Sequence, residues 1–490
     1  MIVLAEIVIP PDDVYGVKYP PLALACLAGA LKNAGEQSQI VLFRHGDDSY
    51  KWVNQVLALQ PQVVGFSVFV GFKLKMALHL SRLLKQLQPD LPILWGGVHP
   101  SLEPEQCLYE PSIDWICVGP GESTIVSIAR MLHRNIGIEQ VPSLAYRNNG
   151  KVVINPPGIP GIDSTIGRPD WESFPVQEFV FSTNPQQKTI GFISSRGCPF
   201  NCGFCYNKAF HGRHWQPSDI TQIQKEMQYL RSQYSINSFL FLDDCFLGNK
   251  KRAIELLEWM SQNGFICYAV DLRVNQIDYD IIDTLHTAGI RSVFIGIESS
   301  SERILQLITK GFGVEDIERA MVVLKKYPDI LILLSFIVGF PTESFQEIKE
   351  TISTCAKLCL HRSNTLIALN KYLPLPGTAL FKLSLQHGFK EPKNLADWLS
   401  LNVDAYGISK LDYFPGRFTA TEIGYIQRAI LYLRILYRPY LTEKMKSIRR
   451  CVAEIFRYIA IARLHYHLLW FPVDIWIYNI LRRLFQSKTP

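Results

Sequence analysis

The chain has 490 residues, 48% of them hydrophobic and 19% charged, with a formal charge of +6. That length suggests two to four domains, and a charge so small for the size is no sign of nucleic-acid binding. The 11 cysteines are irregularly spaced, unlike a small secreted disulfide scaffold, and read as reduced thiols with one metal site among them.

The N-terminus, "MIVLAEIVIPPDD", lacks the basic start and long apolar run of a signal peptide, and no bilayer-spanning apolar run occurs. A cytoplasmic protein is expected. "MIVLAEIVI" reads as a strand and "LALACLAGALKNAG" as a helix ending near Gly35. "QIVLF", "VVGFSVF", "ILWGG" and "WICVG" are four further strands, the last leading into the helical "GESTIVSIARML". Such alternation predicts a doubly wound parallel sheet over residues 1–140, binding ligands beyond the C-terminal ends of its strands. Those ends carry Phe66 to Phe72, Gly96-Gly97-Val98-His99 and Gly119-Pro120-Gly121-Glu122.

Residues 141–185, rich in Asn, Gly and Pro, read as a hairpin and linker. Over 186–385 a second series begins at "TIGFISSRG" and continues with "SFLFLDD", "FICYAVDLR", "SVFIGIES", "LILLSFIVGFP" and "LIALNKYLPLPG". Six parallel strands make a partial (β/α)6 barrel, a relative of the eight-stranded one, with its active site at the C-terminal mouth. Residues 386–490 form a helical region in which Trp, Tyr, Phe and Leu are mixed with Arg and Lys, interrupted by Pro472. Either a peripheral membrane contact or a packed cap suits that composition.

The stretch "SSRGCPFNCGFCYN" holds Cys198, Cys202 and Cys205 directly after a strand. Three thiolates can hold zinc with a fourth ligand such as His211 or His214. They can instead hold an iron-sulfur cluster with one iron left open. Gly197 and Gly203 let the backbone wrap closely, and Phe204 and Tyr206 can shield a ligand, which favours the cluster.

The CxxxCxxC spacing, with an aromatic residue before its last cysteine and a barrel strand ahead of it, resembles the radical S-adenosylmethionine superfamily. The resemblance implies a [4Fe-4S] cluster on the three cysteines, whose open iron takes the amino and carboxylate groups of S-adenosylmethionine. Reductive cleavage then gives a 5'-deoxyadenosyl radical. Further motifs follow in order. "FLFLDDCF" implies Asp243 or Asp244 at the ligand's amino group, "DLRVNQID" Arg273 at its carboxylate, and "FIGIES" Glu298 at the ribose hydroxyls. "FIVGFP" and "YLPLPGT" resemble later barrel motifs, with Gly339 shaping the mouth. Taken singly, Asp243-Asp244 could cap a helix or hold a divalent ion, and Arg273 and Glu298 could be a salt bridge.

"KYPPLALACLAGALKNAG", "WGGVHPSLEPE" and "VGPGES" resemble the cobalamin-binding domain of one branch of that superfamily. Gly96, Gly97, Gly119 and Gly121 would allow close backbone approach to the cofactor, with Ser67 and Glu122 beside them. No DxHxxG motif is present, so His99 is either a cofactor contact or a loop histidine, and Phe69 or Phe72 would face the corrin. The branch implies methylation of an unactivated carbon or phosphorus centre in a largely apolar small molecule. It also includes the anaerobic magnesium-protoporphyrin monomethyl ester cyclase, whose oxidative ring formation is the alternative. An electron donor such as flavodoxin or ferredoxin is implied. Methylthiolation of transfer RNA would favour a second cluster domain and a basic RNA-binding module, and neither is evident.

Overall fold

The computed structural model describes residues 1–9, 17–133, 135–157, 168–361, 364–401, 414, 416–437, 447–469, 473, 474 and 477. Pro472 and residues 478–490 lie outside the described residues.

The first sheet contains β1 (Ile2–Ile7), β2 (Ser38–Phe43), β3 (Val63–Ser67), β4 (Ile93–Gly96), β5 (Trp115–Cys117), β6 (Leu144–Asn148) and β7 (Lys151–Ile154). Their order is β2-β1-β3-β4-β5-β6-β7, parallel through β5 and antiparallel beyond it. All of β1 is buried because both its faces are covered. Ile2 and Leu4 enter one hydrophobic core, while Val3, Ala5 and Ile7 enter the other. Full burial of each Ile, Leu or Val among them is worth about 1.5–3 kcal/mol. The β6–β7 hairpin, read from sequence as part of a linker region, extends this sheet. The strand order reverses between β1 and β3, which opens a crevice at their C-terminal ends.

The second sheet is the curled partial barrel. Its strands are β8 (Phe181–Asn184), β9 (Gln187–Phe192), β12 (Ser238–Phe241), β13 (Ile266–Arg273), β14 (Ser292–Glu298), β15 (Leu331–Val338) and β16 (Thr365–Lys371). A two-residue pair, β10 (Ser195–Arg196) and β11 (Gln216–Pro217), flanks the cysteine loop. The six strands from β9 to β16 are parallel, as expected, and β8 adds an antiparallel edge. Val270, Leu272, Val293 and Ile295 face the helices, leaving the alternate residues for the concave side.

Helices Ala420–Tyr437 and Ser447–His465 pack against the β16 edge and helix Phe345–His361. Arg457, 4% exposed, donates to the Cys359 carbonyl at 2.9 Å, which ties this region to the side of the barrel. Cys355 and Cys359 are buried in that packing. No helix among the described residues is long and apolar enough to cross a membrane.

Candidate active site

Two adjacent carboxylates brace the cysteine loop. Asp243, at the end of β12, accepts from the Ser194 N–H at 3.0 Å and from the Ser194 and Ser195 hydroxyls at 2.7 and 2.5 Å. It is 2% exposed, and burial pushes its carboxyl upward. Of the two carboxylates expected near the ligand's amino group, Asp243 turns its oxygens to the strand before the loop. Asp244 accepts from the Gly197 N–H at 2.9 Å and the Asn207 amide at 2.8 Å, which ties the loop's beginning to its end.

Between those ties the backbone turns sharply. Gly197 has φ +73°, and a Cβ there would run into the His214 carbonyl. The Gly203 N–H donates to the Ile308 carbonyl at 2.7 Å, and its own carbonyl accepts from Leu380 at 2.9 Å. The three thiols are thus carried on a rigid loop. Cys198 is held down to about 7, first by a hydrogen bond with the Cys245 thiol, whereas burial pushes Cys205 up to about 11. Cys245 did not stand out in the sequence. Among the described residues no three His, Cys, Asp or Glu side chains converge as a single-ion site would require. A cluster takes one thiolate per iron, so its protein ligands need not meet at one point.

Arg273 lies on this loop. Its guanidinium donates to Cys202 Sγ at 3.3 Å, covers the Phe200 ring at 3.8 Å and donates to the Lys310 carbonyl. Its Nε is buried without a hydrogen-bond partner among the described residues, a donor suited to an anion such as a carboxylate. Glu298 sits at φ +74°, where a register shift bends β14. Its Oε1 accepts from Lys310 Nζ at 2.8 Å, and both side chains are at most 8% exposed. The ribose contact expected of Glu298 competes with this pair.

Lys310, missed in the sequence, also stands 5.6 Å from the centre of the Phe204 ring. Lys310→Met leaves the Glu298 charge buried alone and should destabilise the protein by about 3–5 kcal/mol. Urea unfolding would show it, and an unchanged midpoint would refute the assignment. Gly339, φ +91°, ends β15 and donates to Glu343 at 2.6 Å.

At the switch point of the first sheet is a cavity of about 270 Å³. Ser67, Gly96, Gly97, Gly119, Gly121 and Glu122 line it, with apolar walls from Leu22, Leu27 and Leu94. The barrel closes it through Ile193, Arg196, Phe210 and His211, and Arg196 pairs with Glu122. The glycine cradle and largely apolar walls fit the tail of a large cofactor. The Gly119 N–H, on one of the turns expected to approach the cofactor, donates to the Ser101 hydroxyl oxygen at 2.9 Å. Ser101 also donates to the Gly97 carbonyl at 2.7 Å, joining two cavity-lining turns.

Phe69 does not line the cavity but meets Tyr206 of the cysteine loop, edge to face at 6.0 Å. Phe72 turns toward His45 at 6.0 Å. His99 also lies apart, 2% exposed and edge-on to Trp398 at 5.1 Å, with Nε2 unpartnered among the described residues. Burial lowers its pKa to about 4 from 6.5. Below pH 6.5 the unfolded chain takes up a proton that the folded protein refuses. His99 should therefore remove about 3 kcal/mol of stability as the pH falls through that window. Urea midpoints of the wild type and His99→Phe between pH 7 and about pH 4 test this; parallel curves would rule it out.

A largely apolar, glycine-edged cavity at the switch point of one sheet, abutting a three-cysteine loop at the mouth of a partial barrel, suits an enzyme with two cofactors. Residues 12–129 match the B12 binding domain, and residues 192–355 match the radical SAM superfamily. The chain belongs to the cobalamin-dependent radical S-adenosylmethionine superfamily and is a radical S-adenosylmethionine enzyme. An uncharacterized methyltransferase of Pyrococcus horikoshii is 29% identical over 88% of this chain and 92% of its own length. The anaerobic magnesium-protoporphyrin IX monomethyl ester cyclase of Rubrivivax gelatinosus is 27% identical over 74% of this chain and 66% of its own. The methyltransferase TsrM of Kitasatospora setae, solved with cobalamin and a [4Fe-4S] cluster, shares the fold at 18% identity, a TM-score of 0.67 and coverage of 91% and 92%.

Proposed function

We propose that the protein methylates an unactivated carbon, or a phosphorus, of a largely apolar small molecule. The observation carrying this is the shared wall: Arg196, Phe210 and His211, which flank or follow the cysteine loop, also line the switch-point cavity. When bound, the [4Fe-4S] cluster and S-adenosylmethionine supply a 5'-deoxyadenosyl radical, and cobalamin supplies a transferable methyl group. Cys198, Cys202 and Cys205 would hold the cluster, and Arg273 would orient the carboxylate of S-adenosylmethionine. Ser67 and the glycine turns would seat the cobalamin tail. An electron donor such as flavodoxin or ferredoxin would serve the cluster.

Oxidative cyclisation is the second reading, favoured by the similarity to the cyclase over most of the chain. Methyl-labelled S-adenosylmethionine with a candidate substrate separates the two. Label in the product supports methylation, and deoxyadenosine with an unlabelled, oxidised product supports cyclisation. Deoxyadenosine formation in neither case would overturn both.

The C-terminal region supports docking on an anionic lipid surface. Residues 420–490 contain 12 Lys and Arg against 4 Asp and Glu, a formal +8 where the whole chain has +6. Ile455 and Tyr458 are 59% and 58% exposed and share one helical face while Arg457 points inward, and Tyr466, just past the helix end, is 67% exposed. The full chain should sediment with phosphatidylglycerol vesicles and do so less after Ile455→Glu. Equal recovery with neutral phosphatidylcholine vesicles, or none with either, would refute this.

A further inference from the structure

The concave face of the curled sheet carries a carboxylate that the cysteine-loop network leaves out. Val270 and Leu272 enter the helix-covered core, so Asp271 between them faces the chamber. In register across the sheet, Asp271 neighbours Phe294, Phe294 neighbours Leu333, and Leu333 neighbours Leu366. Phe294, Leu331, Leu333, Leu366 and Ala368 make a small apolar cluster of their own on this face. Two residues further along the same strand, Arg273 touches Cys202 at 3.3 Å. Asp271 therefore lies about 7 Å along the strand from the residue that contacts the cysteine loop.

Asp271 is exposed although β13 is a central strand of its sheet. Its charged neighbours, Asp243 and Asp244, repel it. Asp243 is answered by Ser194 and Ser195, and Asp244 by Gly197 and Asn207. Among the described residues Asp271 has no hydrogen-bond or ion-pair partner. A neutral hydroxyl would give this carboxylate a weaker hydrogen bond than the charge-assisted one an ammonium offers. A divalent metal ion would need several more oxygen ligands than this apolar wall offers.

We propose that Asp271 receives an ammonium group of the substrate, which is thus a largely apolar amine whose cationic end is anchored below the cysteine loop. This rests on the curled sheet being the reaction chamber. It adds to the proposed function a charge requirement that methylation and cyclisation alike would have to meet.

Equilibrium dialysis of the holoprotein with octylammonium, octanol and octanoate tests the assignment. Wild type should bind octylammonium about tenfold or more tighter than octanol, and octanoate weakest, as a charge-assisted hydrogen bond requires. In Asp271→Asn that preference should fall to near parity. Equal affinities in the wild type would overturn the proposal without recourse to any variant, as would a preference that survives Asp271→Asn. Iron and cobalamin are measured on the same samples. Wild type that lacks either cofactor yet keeps the amine preference would count against the cofactor reading and leave the role of Asp271 standing.

Discussion

Cys202→Ser, reconstituted anaerobically, should retain almost none of the roughly four irons expected on the loop and cleave no S-adenosylmethionine. A serine hydroxyl stays protonated at neutral pH and is a poor ligand for iron, so one corner of the cluster is lost. The fold should survive. Asp243, Asp244 and the Gly203 backbone bonds hold the loop without help from the Cys202 sulfur. Unfolding free energy should therefore stay within about 1 kcal/mol of wild type. The substitution removes the Arg273 bond to Sγ and so frees a guanidinium already stacked on Phe200. Iron analysis and chromatography of deoxyadenosine provide the check. A variant that keeps both its iron and its cleavage activity would remove Cys202 from the site.

Gly97→Ala should lose cobalamin while keeping the cluster. Gly97 has φ +94°, and a Cβ there would lie 2.8 Å from the Val68 carbonyl oxygen and 3.0 Å from its nitrogen. Backbone must move, because neither neighbour is a flexible side-chain end, and a non-glycine residue at this φ itself costs about 1–3 kcal/mol. The displaced turn is a wall of the switch-point cavity, so retained cobalamin should fall at least about tenfold, the equivalent of about 1.4 kcal/mol. Gly119→Ala is the internal comparison. Its φ is +84°, but no atom lies within 4 Å of the added carbon, so strain acts without collision and the loss should be smaller. Full cobalamin occupancy in Gly97→Ala would show that the turn does not seat the cofactor.

The strands of both sheets were legible because parallel strands covered on both faces leave continuous apolar runs between glycine-rich turns. Edge elements were harder to read. β8 is short and antiparallel, and the β6–β7 hairpin does not show in its sequence which sheet it joins. At the site, the cysteines announced themselves by spacing. The orientation of Asp243 did not, since adjacent residues at a strand end point opposite ways and only the fold shows which one faces Ser194. Lys310, Ser101 and Cys245 stayed hidden because their partners, Glu298, Gly119 and Cys198, are 12, 18 and 47 residues away. No local pattern encodes such pairings. His99 stayed ambiguous for the opposite reason: its place after β4 is conspicuous, yet only the fold shows Trp398, far along the chain, packed against it.

The cavity wall contributed by Ile193, Arg196, Phe210 and His211 has a consequence for assembly. Neither sheet encloses the cavity alone, so the two halves of the chain, expressed apart, would each carry only half of a mould. A ligand seated there contacts both and adds its binding energy to their association. Loading would then act as mortar between the domains.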